Sequence, residues 1–505
     1  MNLASMVPMN NKGDSGLHHP PITPCNSKRG SVWDLDHTLL STDTFAEQLA
    51  TLLFRKPWMF TSICIWMARG RAHCKAKVAA ISSTPPDAWP VRPDVLERVL
   101  ADRRAGYTTV LATAAHRSVA QPLADHLSCF DIVLASDDGL NLKAHVKANT
   151  VATLAHRERW SHFSYAGDST ADLPVWRVAD VVIAVNPTAT LLRRIERLGK
   201  RVTVLGSLQS PWWALAAACR PHQWAKNALL FVPMVLAHRF DFPTVAHVLA
   251  AFCAFSLCAS AIYLLNDIND IQVDRRHPTK RTRSFAAGRV TIPQGILVAF
   301  ALIVLSLVLA LATVSVVFAG LLVLYICANA LYSSQMKQVP VVDVLMLACM
   351  YALRLEAGAV AATVPLSDWL LTFSLFFFTS LAFAKRFTEL RRLDAAGAPT
   401  TTGRGYQVSD VALLQMLGSA SGYVSVLVLA LYMNSDTMRS LYGQNRILWL
   451  VCPLVLYWIT RLWLLASRGL LDEDPVVFAL TDKTSILVGV AGGLLFVLAS
   501  LTASI

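Results

Sequence analysis

The chain has 505 residues, of which 54% are hydrophobic and only 15% charged, and its mean hydropathy is +0.47. These values exclude an ordinary soluble protein of this length and predict a membrane protein with a soluble part. The formal net charge is +12. Much of it lies in short loops between apolar segments, so we expect membrane orientation and phosphate binding rather than a nucleic-acid partner. The ten cysteines form no C-x-x-C pair, which argues against a disulfide framework or structural zinc.

Residues 1–30 are rich in Pro, Asn, Ser and Gly and are predicted to be a disordered tail. They contain no apolar segment of signal-peptide length, so the domain that follows is expected to stay in the cytoplasm. From residue 31 to about 207, short β-branched runs alternate with helical stretches. The runs are VWDLD, YTTVLAT, DIVLAS, HFSYAGD, DVVIAVN and RVTVLGS. This alternation predicts an α/β domain with a parallel sheet wrapped by helices.

Polar side chains follow several of these predicted strands. Asp34 and Asp36 end the first strand, Thr113 the second and Asp168 the fourth. Ligands of parallel sheets gather at the carboxyl ends of the strands, so we expect these side chains to meet in one site.

The same residues form an ordered set of motifs. D-x-D-x-T contains Asp34, Asp36 and Thr38, with His37 at its fourth position, and Thr113, a lysine of NLKAHVKA and GDSTAD follow. The set resembles the haloacid dehalogenase-like phosphatase superfamily over nearly the whole domain, where glycine is commonest at the place of His37. The resemblance implies a Rossmann-like fold and a Mg²⁺-dependent phosphatase. An inactive domain kept for assembly is the alternative.

The resemblance also implies roles for single residues. Asp34 would be the nucleophile and Asp36 the acid/base. Thr113 and Lys147 would bind phosphate, with Lys143 an alternative to Lys147 at this spacing. The implied Mg²⁺ ligands are Asp34, Asp36, Asp168 and Asp172.

A helical insert of about residues 42–92 follows the first motif and resembles the cap that covers the nucleophile in this superfamily. Its apolar run PWMFTSICIWMA is flanked by Arg55, Lys56, Arg69 and Arg71. The run is too short to span a bilayer but suits a membrane interface. Ordinary packing of cap helices explains it equally well.

Residues 208–505 form a second domain with about nine apolar stretches of membrane-spanning length. The predicted spans are 212–238, 244–266, 291–312, 314–333, 341–361, 367–385, 409–433, 445–466 and 484–505. The strongly charged loops fall on one side, so the positive-inside rule places that side and the phosphatase-like domain in the cytoplasm. The whole chain is therefore expected in the cell (inner) membrane.

The stretch Tyr263–Gly288 carries the main chemical signal of this second domain. Asp267, Asp270 and Asp274 are spaced by three and four residues, which puts them on one face of a helix. Stacked carboxylates remain ionised together when a cation such as Mg²⁺ lies among them. A series of basic residues suited to phosphate oxygens follows. The stretch therefore predicts a site for a metal-bound diphosphate at the end of a membrane helix.

Several motifs of this domain resemble the UbiA superfamily of intramembrane prenyltransferases, over essentially all of residues 212–505. They are RPHQWAKN at 220–227, NDINDIQVDRRHPTKR, YSSQMK at 332–337 with Asp343, and LRLEAG at 353–358. Aromatic prenyltransferases of the family have a second aspartate-rich motif, where this chain offers only Asp343. The difference favours the branch that transfers phosphoribose from phosphoribosyl pyrophosphate to decaprenyl phosphate.

The resemblance gives this domain an expected site. Mg²⁺ would be held by Asn266, Asp267, Asp270 and Asp274, and the three aspartates would be catalytic. The expected ligands of the substrate phosphates are Lys226, Arg275, Lys280, Arg281, Lys337, Arg354, Lys385 and Arg386. Arg354 is the most informative, because an arginine inside an apolar run is costly without a partner.

These motifs together predict a two-step enzyme, in which phosphoribose is transferred to a polyprenyl phosphate and the fused phosphatase removes the 5-phosphate. A prenyltransferase acting on an aromatic acceptor, beside an unrelated phosphatase, is the first alternative. The second is a transporter or scaffold that is not an enzyme, which would be supported by broken helices in matched halves.

Overall fold

The computed structural model describes residues 28–503 except positions 83, 138, 207–210, 278, 396, 398–403, 436–437, 439–441, 443–445 and 472–473. The predicted disordered tail lies outside the described residues up to position 27. The first strand begins at Arg29. The strand starts there because Arg29 and Gly30 already pair with Tyr107 and Thr108 of the next strand.

The described residues divide into two compact units. One lies within 1–39, 93–136 and 140–207, and the other within 40–92, 137–139 and 208–505. The contacts therefore group the predicted insert with the membrane-spanning helices.

The first unit contains one six-stranded parallel sheet in the order β3-β2-β1-β4-β5-β6. Its strands are β1 (Arg29–Trp33), β2 (Tyr107–His116), β3 (Ile132–Ser136), β4 (His162–Gly167), β5 (Val181–Val185) and β6 (Arg201–Leu205). Val32, Val110 and Val182 share one face of the sheet and are fully buried, and so are Trp33, Leu111 and Ile183 on the other face. The sheet is thus buried on both faces in the way parallel sheets require, and the predicted α/β fold is confirmed.

Eight described helices precede residue 207. They are α1 (Thr44–Arg55), α2 (Phe60–Ala68), α3 (Arg71–Ile81), α4 (Pro93–Arg104), α5 (Arg117–Leu127), α6 (His145–Arg157), α7 (Leu173–Val178) and α8 (Ala189–Glu196). Helices α4–α8 belong to the first unit, whereas α1–α3 form the insert.

A tight turn, Leu35–Leu39, follows β1 and carries Asp36. His37 has φ of 56° in this turn, a left-handed conformation that glycine adopts at least cost. The turn reverses the chain directly after Asp34, which leaves Asp34 at the carboxyl end of the central strand.

The described helices after residue 207 are mostly long and apolar. They are α9 (Pro211–Ala218), α10 (Val232–Leu236), α11 (Phe242–Asn269), α12 (Ile271–Arg276), α13 (Ile292–Thr313), α14 (Val316–Ser334), α15 (Val342–Ala362), α16 (Asp368–Ala395), α17 (Val411–Met433), α18 (Val451–Ser467), α19 (Pro475–Thr481) and α20 (Lys483–Ala503).

Eight segments of the described chain are long and apolar enough to cross a membrane. They are Phe242–Asn269, Ile292–Thr313, Val316–Ser334, Val342–Ala362, Asp368–Ala395, Val408–Met433, Arg446–Ser467 and Lys483–Ser500. The first of the nine predicted spans, 212–238, is not one long helix. It is divided into α9, a 3₁₀ segment Pro221–Phe231 and α10. Pro221 and Pro233 lack an N–H for helix continuation, and Arg220 is left-handed with φ of 51°, so a continuous α-helix cannot form.

The membrane helices differ in how much of their surface the protein covers. The most apolar stretch of α13 has a mean hydropathy of 3.0 but is only 22% buried, as expected of a helix that faces lipid. The corresponding stretches of α11 and α16 are 61% buried.

Gly358 of α15 marks a close approach to the backbone of the neighbouring 3₁₀ segment. A Cβ built at this position would lie 2.3 Å from the carbonyl oxygen of Leu230. A Gly358→Ala substitution should therefore push apart α15 and the 3₁₀ segment and destabilise the protein by about 1–3 kcal/mol, since backbone cannot give way as a side chain can. Thermal unfolding of the detergent-solubilised protein measures this loss.

Gly320→Ala in α14 is the matched control, because a Cβ there meets no atom within 4 Å. It should leave the melting temperature unchanged or slightly higher. Equal melting temperatures for the two variants would show that the contact at Gly358 is not tight.

Candidate active sites

The first candidate site lies at the carboxyl end of the central strands. The parallel register sets Trp33 of β1 beside Ala166 of β4, and the Asp34 N–H donates to the Ala166 carbonyl over 3.0 Å. Asp168 follows β4 directly. One carboxylate oxygen from each of Asp34, Asp168 and Asp172 lies within 4.8 Å of the others. The sheet thus brings together three of the four aspartates predicted to bind metal, and Asp36 lies in the turn after β1.

Lys147 is the basic residue of this cluster. Its buried Nζ lies 2.9 Å from Oδ1 of Asp34 and 3.6 Å from Oδ1 of Asp172, and it donates to the Tyr165 hydroxyl over 3.1 Å. Lys143 is exposed. Although the sequence spacing allows either lysine, the structure places Lys147 at the site.

Asp172 is held by several donors. Its Oδ1 accepts from the Tyr165 hydroxyl over 2.7 Å, and its Oδ2 accepts from the N–H and the hydroxyl of Ser169, each over 3.1 Å. These bonds fix a carboxylate that in turn faces Lys147. Tyr165 was not predicted as a site residue, because a tyrosine in the middle of a buried strand has the sequence signal of a core residue.

Two threonines complete the surroundings. Thr113 is fully buried and accepts from the Ala115 N–H over 2.9 Å. The Thr38 hydroxyl is also buried and has no hydrogen-bond partner within the described chain. A buried hydroxyl without a partner is costly, and a bound oxyanion would satisfy it.

The electrostatics of this site suit a divalent cation. Burial raises the pKa of Asp34 to about 7, with further upward contributions from Asp172 and Asp36, while Lys147 lowers it. Burial also raises the pKa of Asp168 well above its ordinary value. Carboxylates gathered in this way need positive charge to ionise together. The donor set therefore fits Mg²⁺. Asp34 and Asp168 accept fewer hydrogen bonds than Asp172 and are the ligands most open to the ion.

The second candidate site is a cavity of about 1270 Å³ within the second unit. Its wall includes residues of α11, α14, α15 and α16, Val273 and Asp274 of α12, and part of the insert. The predicted site residues that line it are Lys226, Asn266, Asp267, Asp270, Asp274, Lys280, Lys337, Arg354, Lys385 and Arg386. The structure therefore gathers most of the predicted site around one space.

Each aspartate of the acidic motif has a basic partner. Asp267 pairs with Arg220 and lies 3.4 Å from Nη1 of Arg283, and the same Nη1 lies 2.8 Å from Asp274. Asp270 receives Lys337 at 2.9 Å. Within the described chain these three carboxylates do not form a group as compact as that around Asp34. The arginines neutralise the carboxylates. The carboxylates therefore do not need to gather around a single cation.

Arg354 lies buried in α15 and contacts only neutral groups. Its guanidinium donates to the Asn227 side chain over 3.0 Å, the Met350 carbonyl over 2.6 Å and the Tyr325 hydroxyl over 2.8 Å. The rings of Phe255, Tyr325 and Tyr351 lie within 5.2 Å. No carboxylate pairs with Arg354 among the described residues, so its charge is available to an anion in the cavity.

Arg386 is paired more fully. It contacts Asp343 at 2.5 Å and Glu389 at 2.8 Å, and donates to the Tyr332 hydroxyl over 3.0 Å. Asp343 is completely buried, also accepts from the Tyr406 hydroxyl, and does not line the cavity. Asp343 is the single acid that the sequence offers in place of a second aspartate-rich motif. It thus holds Arg386 in position.

Two predicted phosphate ligands lie elsewhere. Arg275 forms a buried pair with Glu47 of the insert, and Arg281 is exposed outside the cavity wall. Several other charged residues of the wall are not among the expected ligands: Arg55, Arg220, Arg283, Arg289, Glu389, Arg404 and Asp474. Arg220 and Arg283 lie inside the motifs that carried the resemblance. Asp474, which pairs with Lys226, lies far along the chain and had no such signal.

The raised pKa of Asp34 predicts a pH-dependent Mg²⁺ requirement for phosphatase activity. Below about pH 7 the metal-free Asp34 holds a proton, so Mg²⁺ must displace it. The Mg²⁺ concentration for half-maximal hydrolysis of p-nitrophenyl phosphate should rise at least about tenfold per pH unit as the pH falls below 7. Asp34→Asn should be inactive at every pH. A Mg²⁺ requirement that is constant from pH 6 to 8 would contradict this assignment.

Comparison with known proteins identifies relatives that match different shares of this chain. The protein y4nM of Sinorhizobium fredii, described as uncharacterized, is 35% identical over 93% of this chain and 90% of its own length. Nodulation protein NoeC of Azorhizobium caulinodans is 36% identical over 57% of this chain and 94% of its own length. The decaprenyl-phosphate phosphoribosyltransferase of Corynebacterium glutamicum is 39% identical, but only over 36% of this chain and 56% of that protein.

Family matches divide the chain as the motifs do. The haloacid dehalogenase-like hydrolase family matches residues 31–177, and the UbiA prenyltransferase family matches residues 227–482. Both resemblances found in the sequence are thereby confirmed. The chain belongs to the UbiA prenyltransferase family and carries an N-terminal haloacid dehalogenase-like hydrolase domain.

Proposed function

We propose that the membrane domain transfers 5-phosphoribose from phosphoribosyl pyrophosphate to a polyprenyl phosphate, and that the hydrolase domain removes the 5-phosphate of the product. The observation that carries the proposal is the charge of the cavity wall. Among the described residues that line it, eleven are Lys or Arg and five are Asp or Glu. An excess of six positive charges beside apolar helices is costly unless the ligands are strongly anionic.

The two proposed substrates match this excess better than the alternative pair. Phosphoribosyl pyrophosphate carries a diphosphate and a separate 5-phosphate, and the lipid acceptor carries another phosphate. A prenyl diphosphate with an aromatic acceptor brings one diphosphate and a mostly apolar partner. The similarity of part of the chain to a decaprenyl-phosphate phosphoribosyltransferase supports the same choice.

The acidic residues suit the pyrophosphate end of the donor. Asp267, Asp270 and Asp274 offer the carboxylate oxygens that Mg²⁺ prefers, and bound Mg²⁺ would supply charge neutralisation for the leaving pyrophosphate. Arg220 and Arg283 now pair with these carboxylates. Pyrophosphate oxygens are equally good partners for guanidinium groups, so a bound donor would share the arginines with the acids.

The transfer is a substitution at C1 of the ribose. A phosphate oxygen of the lipid forms the new bond to C1 while the bond from C1 to pyrophosphate breaks, and positive charge develops on the sugar. Arg354, Lys385 and Lys226 lie on the cavity wall, make no ion pair with the acidic motif among the described residues, and are the proposed holders of the lipid phosphate and the 5-phosphate. Holding both substrates in register supplies most of the rate acceleration.

The hydrolase site suits the second step. Asp34 would attack the phosphorus of the 5-phosphate, and Asp36 would protonate the departing sugar oxygen. Lys147, fixed by Asp172, and Thr113 would hold the phosphoryl oxygens. Water then releases inorganic phosphate from Asp34, with Asp36 accepting its proton. The same proposal puts the chain in the inner membrane with the hydrolase domain in the cytoplasm, as the distribution of basic loops indicates.

The two steps are tested by product analysis. Purified full-length protein is incubated with Mg²⁺, radiolabelled phosphoribosyl pyrophosphate and decaprenyl phosphate, and the lipid products are identified by mass. Wild type should yield a ribosyl lipid without the 5-phosphate, whereas Asp34→Asn should accumulate the phosphorylated lipid. Asp267→Asn should form neither, because it removes a carboxylate from the pyrophosphate end.

The outcomes separate the hypotheses. Identical lipid products from wild type and Asp34→Asn would overturn the coupled second step. Absence of a labelled lipid in every sample would overturn phosphoribosyl transfer. A product formed only from a prenyl diphosphate and an aromatic acceptor would instead establish the first alternative.

Arg354 provides a separate test of phosphate binding. Arg354→Lys keeps the positive charge but loses the planar donors that reach Asn227 and Tyr325. Loss of one charged hydrogen bond to a substrate phosphate is worth about 1.5–3 kcal/mol, so kcat/KM for transfer should fall about 10- to 100-fold. Steady-state kinetics with each substrate varied in turn measures this. Unchanged kcat/KM for both substrates would exclude Arg354 from the site.

A further inference from the structure

The insert contacts the membrane domain through a buried ion pair. Glu47 of α1 is 1% exposed, and the Arg275 side chain of α12 is 8% exposed. Nη1 of Arg275 donates to Oε1 of Glu47 over 2.7 Å, and Nη2 donates to Oε2 over 2.9 Å. The two parallel bonds fix the guanidinium plane as well as its position, as bidentate pairs of this kind do.

Arg275 has further partners that complete its coordination. Its Nε donates to the Ala286 carbonyl over 3.2 Å, and Nη1 lies 3.4 Å from the Ala88 carbonyl of the insert. The guanidinium therefore links α12, the loop before α13 and two parts of the insert. A residue so fully bonded is committed to holding these segments together rather than to binding substrate.

Helix α12 depends on such contacts because it is only six residues long. A helix of that length is not stable by itself. It carries Asp274 next to Arg275, and the two side chains serve opposite purposes: Asp274 lines the cavity and pairs with Arg283, whereas Arg275 pairs with Glu47. The direction of Asp274 is therefore set in part by what holds Arg275.

Apolar and backbone contacts support the same interface. Ala50 of α1 packs in one cluster with Leu264, Ile271 and Phe285, and Phe54 packs against that cluster. A Cβ at Gly288 would lie 2.5 Å from the Ser41 carbonyl oxygen, so the backbones approach closely there. Phe54, Arg55 and Trp58 also form part of the cavity wall. The insert thus both supports and encloses the second site.

We infer that Glu47 is a positioning residue of the transferase: by holding Arg275 it fixes α12 so that Asp274 faces the cavity. The inference rests on the proposed function for the reaction concerned, although the structural part can be tested separately. It gives the insert, which lies within the hydrolase family match, a role in the transferase site. Residues that orient metal-binding carboxylates without touching the metal typically change metal affinity or activity 10- to 100-fold when replaced.

The test uses full-length protein in detergent with Glu47→Gln, which keeps the size of the side chain and removes its charge. Hydrogen exchange of backbone amides in α12 is measured in metal-free protein, and the Mg²⁺ concentration for half-maximal transfer is measured in parallel. We expect faster exchange confined to α12 and its flanking residues, and a Mg²⁺ requirement raised at least about tenfold. Glu47→Asp, which retains a carboxylate, should be intermediate in both measurements.

Asp87→Asn is the matched control. Asp87 of the insert lies 3.6 Å from Arg276 of the same helix α12, but both side chains are 62% exposed. Exposed pairs contribute little, so this variant should show wild-type exchange and a wild-type Mg²⁺ requirement.

Each outcome decides the inference. Wild-type exchange of α12 in Glu47→Gln would overturn it, as would faster exchange spread evenly over the membrane domain, which would indicate only a loss of global stability. If Glu47→Gln does not fold, the same two criteria apply to Glu47→Asp. If wild type shows no transfer, the proposed function fails, and the exchange measurements still determine whether Glu47 fixes α12.

Discussion

Every carboxylate on the transferase cavity wall is neutralised by a basic side chain of the same cavity, and the structure of the membrane domain depends on this pairing. Asp267, Asp270 and Asp274 are opposed by Arg220, Lys337 and Arg283. Without these partners, the carboxylates would be poorly solvated beside the apolar helices and would tend to take up protons. Because each acid is compensated and basic residues remain in excess, the cavity can persist without ligand and still attract phosphates.

The two candidate sites solve the problem of buried acids differently. Around Asp34, the carboxylates are crowded and buried with Lys147 beside them, and burial raises the pKa of Asp34 to about 7. Around Asp267, Arg220 and Arg283 already pair with the acids. The first arrangement leaves the carboxylates in need of further positive charge, whereas the second supplies that charge from the protein itself.

Much of this organisation could be predicted from the sequence, because the motifs fix residue order and the strand and helix periods fix which residues share a face. The choice between Lys143 and Lys147 could not, because the sequence does not show that α6 begins only at His145, which leaves Lys143 before the helix and Lys147 within it. Likewise, Arg275 and Arg283 both belong to one basic run, and only the structure shows that Arg275 lies in α12 and pairs with Glu47, whereas Arg283 lies beyond that helix and pairs with Asp274. The break within the predicted span 212–238 could not be seen either, because average apolarity concealed the effect of two prolines and a left-handed Arg220.

The insert between Leu39 and Pro93 affects where the chain can be cut into separate fragments. A fragment ending near residue 207 would contain the complete hydrolase family match, yet it would expose Ala50 and Phe54, whose apolar partners lie beyond residue 260. A fragment beginning near residue 208 would retain every aspartate of the acidic motif but deprive Arg275 of its carboxylate partner. Domain boundaries drawn from family matches therefore do not coincide with the packing units, and the insert ties the hydrolase family match to the membrane domain by packing as well as by sequence.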